Sequence, residues 1–231
     1  MREAPHGPPP SPSPRDGSLV ARLARLRSAL LSDCLDQCGV RDHAMSSRLR
    51  PLYPGARLAG RAHTVHAHPV DGPPARREDW YRGELSAIDS LGPGDVLVVS
   101  TCPEGPFFGE LLGTAARRRG AVGAVIDAAT RDSAQLGEMG FPTFVASVNP
   151  LDSLGRIDVD ETGVDVECGG VTVAPGDLVI ADADGVVVVP AALGERVVAL
   201  AEEKASAEDT VRLAIASGMG AWEAFSTYGV I

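Results

Sequence analysis

The stretch Gly109–Asp132, GELLGTAARRRGAVGAVIDAATRD, decides the fold. Gly109 and Glu110 open a helix. Leu111, Leu112 and Ala115 give it an apolar stripe, Arg117 to Arg119 a cationic end, and Gly120 a stop. Ala121 to Ile126 is then an apolar run bounded by Gly and Asp, which suits a strand covered on both faces. The loop after it ends in Arg131-Asp132. Upstream, Asp95 to Ser100 (DVLVVS) reads as a second buried strand. Strand, loop, helix and strand make a crossover between parallel strands, right-handed by the general rule. Two loops then leave the carboxyl ends of neighbouring strands, one carrying Gly109 to Leu112 and the other Arg131 and Asp132. Open α/β sheets bind ligands at that place.

Outward from this unit, residues 1–17 are rich in Pro and Ser and read as a disordered tail. Leu19, Leu23, Leu26, Leu30, Leu31 and Leu35 fall at helical spacing, so residues 18–38 form one or two helices ended by Gly39. Ala56 to His68 reads as a strand. His66 and His68 share one face of it, as a metal pair could, and are equally compatible with solvated strand positions; His63 lies on the same run. Residues 69–83 read as a flexible loop able to cover a site, and Glu84 to Leu91 as a short helix. Beyond Asp132 come a short helix at 133–139, a strand at Thr143–Ala146 and a polar connection from 149 to 163. Two hairpins follow, one turning at Gly169-Gly170 and one at Asp182–Gly185. GPGDVLVV and APGDLVIA read as one turn-into-strand device used twice. A helix spans 192–217, and a short tail ends at Tyr228–Ile231. The expected architecture is α/β: a parallel half with an added antiparallel half, as one domain over residues 18–231.

The chain has 231 residues, 44% hydrophobic, with aromatics at 4% and a net charge of −10. That charge argues against nucleic acid as a partner, because phosphate binding needs a basic footprint. No apolar run approaches the roughly 18 residues of a membrane span. Four scattered cysteines, at 34, 38, 102 and 168, lack disulfide-type spacing and point to a reducing cytoplasm. Cys34 and Cys38, one helical turn apart, read as small hydrophobes, since two soft ligands alone do not make a zinc site.

Asp132 is a hard oxygen ligand on a loop, suited to Mg²⁺ or Mn²⁺. Arg131 offers a planar fork for a carboxylate or phosphate. A plain salt-bridge role fits either residue as well. Glu110 stands in the first turn of the facing helix, where a carboxylate also serves as ordinary capping chemistry. The N–H groups of Glu110, Leu111 and Leu112 suit an anion. A cation, an Arg fork and a helix N-terminus in one crevice suit a 2-oxo acid, whose enolate is the intermediate of aldol cleavage and of decarboxylation.

These residues resemble the RraA-like family, which includes the regulator of ribonuclease activity A and class II 4-hydroxy-4-methyl-2-oxoglutarate aldolases. The resemblance covers about residues 28–231. It rests on an acidic residue, twenty intervening residues and Arg-Asp (Glu110, Arg131, Asp132), with GELL, VIDAATRD, PGDLVIADADGVVVVP and the closing YGVI in support. It implies an α/β/β/α sandwich, with a central mixed sheet region flanked by helices, assembled as homotrimers. It implies Arg131 on the pyruvyl carboxylate, Asp132 directly on Mg²⁺, Mn²⁺ or another divalent cation, and Glu110 on metal-bound water. A Glu from a neighbouring subunit's C-terminal helix completes the family site. By its spacing before Arg212 and Gly218 this corresponds to Glu208, which otherwise reads as an i,i+4 partner of Arg212. The implied activity is cleavage of a 4-hydroxy-2-oxo acid, decarboxylation of oxaloacetate, or both. The alternative is a non-catalytic regulator that binds a ribonuclease or another protein. Two departures stand out: Ala128 where the family has Gly, and Glu110 where many aldolases have Asp. No glycine-rich nucleotide loop supports a methyltransferase.

Overall fold

The computed structural model describes residues 14–102 and 105–230. Residues 1–13 of the expected tail lie outside these. Its last four residues instead begin a helix, α1 (Pro14–Leu23), which is followed by α2 (Ser28–Gln37). Gly39 then adopts the left-handed conformation expected of a residue ending a helical run.

The core is a mixed sheet. Its strands are β1 (Arg50–Pro51), β2 (Leu58–Pro69), β3 (Asp95–Val99), β4 (Pro106–Phe108), β5 (Gly123–Thr130), β6 (Thr143–Val148), β7 (Ile157–Thr162), β10 (Leu178–Asp182) and β11 (Gly185–Val189). A separate hairpin pairs β8 (Val166–Cys168) with β9 (Val171–Val173). The main order is β1-β6-β5-β3-β2-β10-β11, with β4 on β5 and β7 on β2. β3 and β5 are parallel neighbours, as the crossover requires, and β2 and β6 flank them in parallel. β10, β11 and β7 add the antiparallel half. The segment after α2 links the two edges: Ala44 pairs with Val187 of β11, and β1 pairs with β6. The sheet is therefore nearly closed.

Helices cover it on two sides. α3 (Arg82–Asp89), α4 (Glu110–Arg119) and α5 (Ser133–Met139) lie on one side, where Ile88, Ala116 and Leu136 join Leu97, Ile126 and Phe108 in one core. α1, α2 and α6 (Gly194–Ala216) lie on the other, where Leu31, Leu35, Val197 and Val198 meet Leu178 and Val189. Between the two halves of the sheet sits a third core of Val96, Val98, Val125, Phe144, Val179 and Val188. This is the α/β/β/α layering expected above. It buries apolar side chains on both faces of β5, which is hidden from solvent at all eight positions.

The two PGD turns work alike. Gly94 and Gly176 have φ of +85° and +84°. The Asp95 and Asp177 carboxylates each accept the backbone N–H three residues back, from Gly92 at 2.8 Å and Ala174 at 2.9 Å. Each turn then hydrogen-bonds to β2. Positive φ at the second central position calls for Gly, and the Asp closes the turn.

Three expectations need correction. Residues 149–163 are not only a connection: β7 lies within them. Its inward positions are Ile157 and Val159, while Asp160, Glu161 and Thr162 are exposed, so an edge strand carried no apolar run to read. The end of the chain is not a bare tail: α7 (Ala221–Tyr228) runs from Gly220 to a left-handed Gly229. β5 runs four residues past Ile126, which shortens the loop before Arg131. All four cysteines are free, and Cys34 packs in the α2–α6 core. Among the described residues no helix is long and apolar enough to cross a membrane.

Candidate active site

The carboxyl ends of β4 and β5 deliver the site. Arg131 N–H bonds to the Phe108 carbonyl at 2.9 Å, so the strand pairing runs up to the functional loop itself. Asp132 follows in the left-handed region, with φ of 55°. Asp tolerates this conformation better than most residues. The turn aims the carboxylate at the start of α4, where Oδ2 accepts the Glu110 N–H at 3.1 Å. The N–H groups of Leu111 and Leu112 follow at the helix start, where geometry gives them no intrahelical acceptor.

Gly109 makes this approach fit. Its φ of −158° is extended, so space and not conformation sets the requirement. A Cβ there would stand 2.8 Å from Asp132 Oδ2 and 3.1 Å from Arg131 Cγ.

Arg131 lies between two carboxylates, with Nε 3.6 Å from Asp132 and Nη1 3.7 Å from Asp152. Both contacts are longer than a hydrogen bond, which leaves the fork's donors available. Glu110 turns its Oε1 to the Thr114 hydroxyl at 2.8 Å.

Gly109, Leu111, Leu112, Arg131 and Asp132 line one cavity of about 310 Å³ with Phe107 and Phe108. The structure brings these sequence-predicted residues together. Glu110 stands beside the cavity through its backbone contact with Asp132. Glu208 is elsewhere in the same chain. It sits on α6, pairs with Arg27 at 2.8 Å and is 3.9 Å from Arg212. The groove beside it is lined by Val211, Arg212, Ile215 and Ala216.

The rest of the cavity wall was not legible in the sequence. Tyr81, Glu84, Asp152 and Ser153 complete the cavity. Tyr81, at the end of the 69–83 stretch, has a φ of 57° and donates its hydroxyl to Asp152 Oδ2 at 2.7 Å. Part of the expected covering loop therefore does face the site. Glu84, on α3, is only 7% exposed and accepts the Ser153 hydroxyl at 2.8 Å. Burial pushes its carboxyl up to about 7, against the Ser153 bond, and the Asp152 charge adds to the rise. Burial also works against Asp152. The Tyr81 hydroxyl, backbone N–H groups and Arg131 overcome it and hold that carboxyl below its ordinary range. No local motif signals this wall, since Glu84 and Asp152 belong to segments far apart in the chain.

Asp127 is a further residue whose role the sequence did not signal. It is 1% exposed within β5. It takes a two-pronged contact from Arg48, the Thr101 hydroxyl and the Gly169 N–H. Burial opposes its charge, but these donors hold its carboxyl below the usual range. It ties β5 to the β8–β9 hairpin and to the segment before β1, a structural role.

The histidine pair lies elsewhere. His66 Nδ1 meets Asp160 at 2.6 Å and His68 Nδ1 is 3.8 Å away, the three ligand atoms falling within 4.8 Å of one another. Val65 and Ala67, between and beside them, face the core under the cavity. By strand alternation the histidines face the other way. His63 joins neither group and meets Ser90 and Asp95.

Among its described lining residues the Asp132 pocket offers carboxylate oxygens and no sulfur or imidazole, a donor set that suits a hard divalent ion.

The chain is similar to several known proteins. Protein DlpA of Legionella pneumophila is 26% identical over 203 residues, 87% of this chain. The match takes in only 32% of DlpA, so the chain spans about a third of that relative's length. A Halalkalibacterium halodurans protein, provisionally named 4-hydroxy-4-methyl-2-oxoglutarate aldolase, is 27% identical over 89% of this chain and 92% of its own length. The crystal structure of Streptomyces coelicolor RraAS2 is described as that of an unusual member of the RNase ES inhibitor RraA family. It superposes with a TM-score of 0.74 at 33% identity, over 88% of this chain and 99% of that one. The family model RraA-like, described as aldolase/RraA, matches residues 28–188, and the chain belongs to the RraA-like family.

Proposed function

We infer that residues 18–231 form one catalytic unit, a divalent-metal-dependent lyase acting on a 2-oxo acid. The reaction is cleavage of a 4-hydroxy-2-oxo acid to pyruvate, and oxaloacetate decarboxylation is the alternative that the same enolate allows. The observation that carries this is the meeting of Arg131, Asp132 and the α4 N-terminus in one cavity.

Asp132 would hold a Mg²⁺ or Mn²⁺ ion directly, with Glu110 and a neighbouring subunit's Glu208 acting through water. The ion, when bound, polarises the 2-oxo group. Arg131 takes the substrate carboxylate in its fork, and the Leu111 and Leu112 N–H groups add donors on the same side. Phe107 and Phe108 keep water from the floor of the site. In cleavage the 4-hydroxyl loses its proton and the C3–C4 bond breaks. Its electron pair passes to C3 as the pyruvate enolate, and C3 then takes up a proton. A pyruvate-release assay over several 4-hydroxy-2-oxo acids and oxaloacetate, with Mg²⁺ and with EDTA, tests the reading. Release that survives EDTA, or no release from any substrate, overturns it.

The 33% identity to RraAS2 favours a second reading, a regulator that binds a ribonuclease. A pure binding surface needs no cavity with an Arg fork and a carboxylate at a helix N-terminus, so the lyase has the better support.

The assembly would be a ring of identical chains, a trimer by family likeness. Leu213 and Trp222 are 71% and 77% exposed, and Ile215, Phe225 and Tyr228 add to the same end of the molecule. Apolar surface of this kind marks an interaction site. Glu208 lies beside it on α6, so a head-to-tail contact offers it to the next subunit. Mixing Asp132→Asn with Glu208→Gln chains, after dissociation and reassembly, should restore some activity. An active monomer, or no recovery after proven subunit exchange, breaks the shared site.

A further inference from the structure

The two walls of the cavity differ in charge, and the difference bears on the part of the substrate beyond its pyruvyl end. Arg131 is the only cation among the described lining residues. It already lies 3.6 Å from Asp132 and 3.7 Å from Asp152. On the Asp152 side of Arg131 the wall carries two carboxyl groups, Glu84 and Asp152, beside Leu85 and Phe107. Glu84 is buried, and its one hydrogen bond comes from the Ser153 hydroxyl. Asp152 keeps its charge, fixed by the Tyr81 hydroxyl at 2.7 Å.

A ligand with one carboxylate satisfies Arg131 and places its remainder against apolar surface and the Glu84 carboxyl. That carboxyl can accept a hydrogen bond from a ligand hydroxyl. A ligand with a second carboxylate meets a different wall. Its second charge would share the cavity with the Asp152 and Glu84 carboxyl groups, and no described lining side chain other than Arg131 is a cation to pair it.

Building on the 2-oxo acid lyase reading, we propose that Glu84 and Asp152 are specificity-determining residues. They select 2-oxo acids with a single carboxylate and a neutral far end. The substrate class is then a 4-hydroxy-2-oxo monocarboxylate, cleaved to pyruvate and an uncharged aldehyde or ketone. The 4-hydroxyl oxygen becomes the carbonyl oxygen of that second product.

The test compares two uncleaved ligands of equal chain length, 2-oxopentanoate and 2-oxoglutarate, which differ in ending in a methyl or a carboxylate. Each is titrated calorimetrically into the full-length protein with Mg²⁺. 2-Oxopentanoate should bind at least about tenfold tighter. Asp152→Asn, which keeps an acceptor for Tyr81, should shrink that ratio to under about threefold by weakening the repulsion. Thermal melting of the variant checks that it folds. Pyruvate release should likewise be faster from 4-hydroxy-2-oxopentanoate than from 4-hydroxy-4-methyl-2-oxoglutarate. Equal or tighter 2-oxoglutarate binding, or faster cleavage of the dicarboxylate, overturns the selectivity and leaves the lyase standing. If neither ligand binds, or both bind equally well to Arg131→Ala, the lyase reading falls and the selectivity falls with it.

Discussion

The cavity has two ends built by different means. At one end, Gly109, Arg131 and Asp132 come from a single β-α-β unit, and the main chain itself brings them together. The Arg131 and Asp132 side chains are partly exposed, and the spacing of the three residues is visible in the sequence. At the other end, Tyr81, Glu84, Asp152 and Ser153 come from α3 and from the segment before β7. These segments meet because β7 pairs with β2 and α3 packs on β7. Local geometry thus sets the end proposed to hold the reacting group. Long-range packing sets the end proposed to face the rest of the substrate. Chemistry shared by a family can reside in the first while substrate choice changes in the second.

The comparison breaks most readily at the first end. Asp132→Asn keeps the shape but removes a charged hard ligand. Turnover should fall by at least about 100-fold, the scale of losing a catalytic electrostatic element. Steady-state kinetics with saturating Mg²⁺ checks this, and a fully active variant would sink the metal-lyase reading.

Next in size is Arg131→Lys, which should be nearly as damaging as Arg131→Ala. Lysine keeps the charge but loses the planar fork. The expected loss in kcat/KM is about ten- to a hundredfold, the worth of hydrogen bonds to a charged partner. A Lys variant close to wild type would replace carboxylate clamping with general electrostatics.

The second end should show itself in stability. The Glu84 carboxyl, raised from 4.5 to about 7 by burial, binds its proton more tightly folded than unfolded. Its contribution is present below the unfolded value and is lost as pH rises through the folded one. The loss should reach on the order of 2 kcal/mol, discounted from the full shift because the group borders the water of the cavity. Urea unfolding between pH 5 and 8 should show this decline, and Glu84→Gln should flatten it. An unchanged slope in the variant would assign the decline to other groups.

The smallest effect joins the two ends of the comparison. Gly109→Ala places a Cβ 2.8 Å from Asp132 Oδ2. Overpacking of this kind costs about 1–3 kcal/mol, and here the exposed loop can give way, so about 1 is expected. Activity should fall more than stability, because the atom that must move is the proposed ligand. Equal losses in kcat/KM and in unfolding free energy would reduce Gly109 to a packing residue.

The amino-acid sequence by itself determined the β3-α4-β5 unit, both hairpins, the two PGD turns, the long α6, and the grouping of Gly109, Leu111, Leu112, Arg131 and Asp132. Each of these rests on apolar periodicity, on Gly at a left-handed turn, or on neighbours within one unit, and all such signals are local. Tertiary structure decided the rest. β7 has only two inward apolar residues and becomes a strand because β2 offers it an edge. Glu84 reads as an ordinary acid in a helix, and its raised proton affinity exists only where α3 lies against Ser153 and Asp152. Asp127 reads as the polar end of an apolar run, yet it is the buried acceptor for donors from three distant segments. Burial and charge proximity depend on distances in space, and those are fixed only once the sheet has nearly closed.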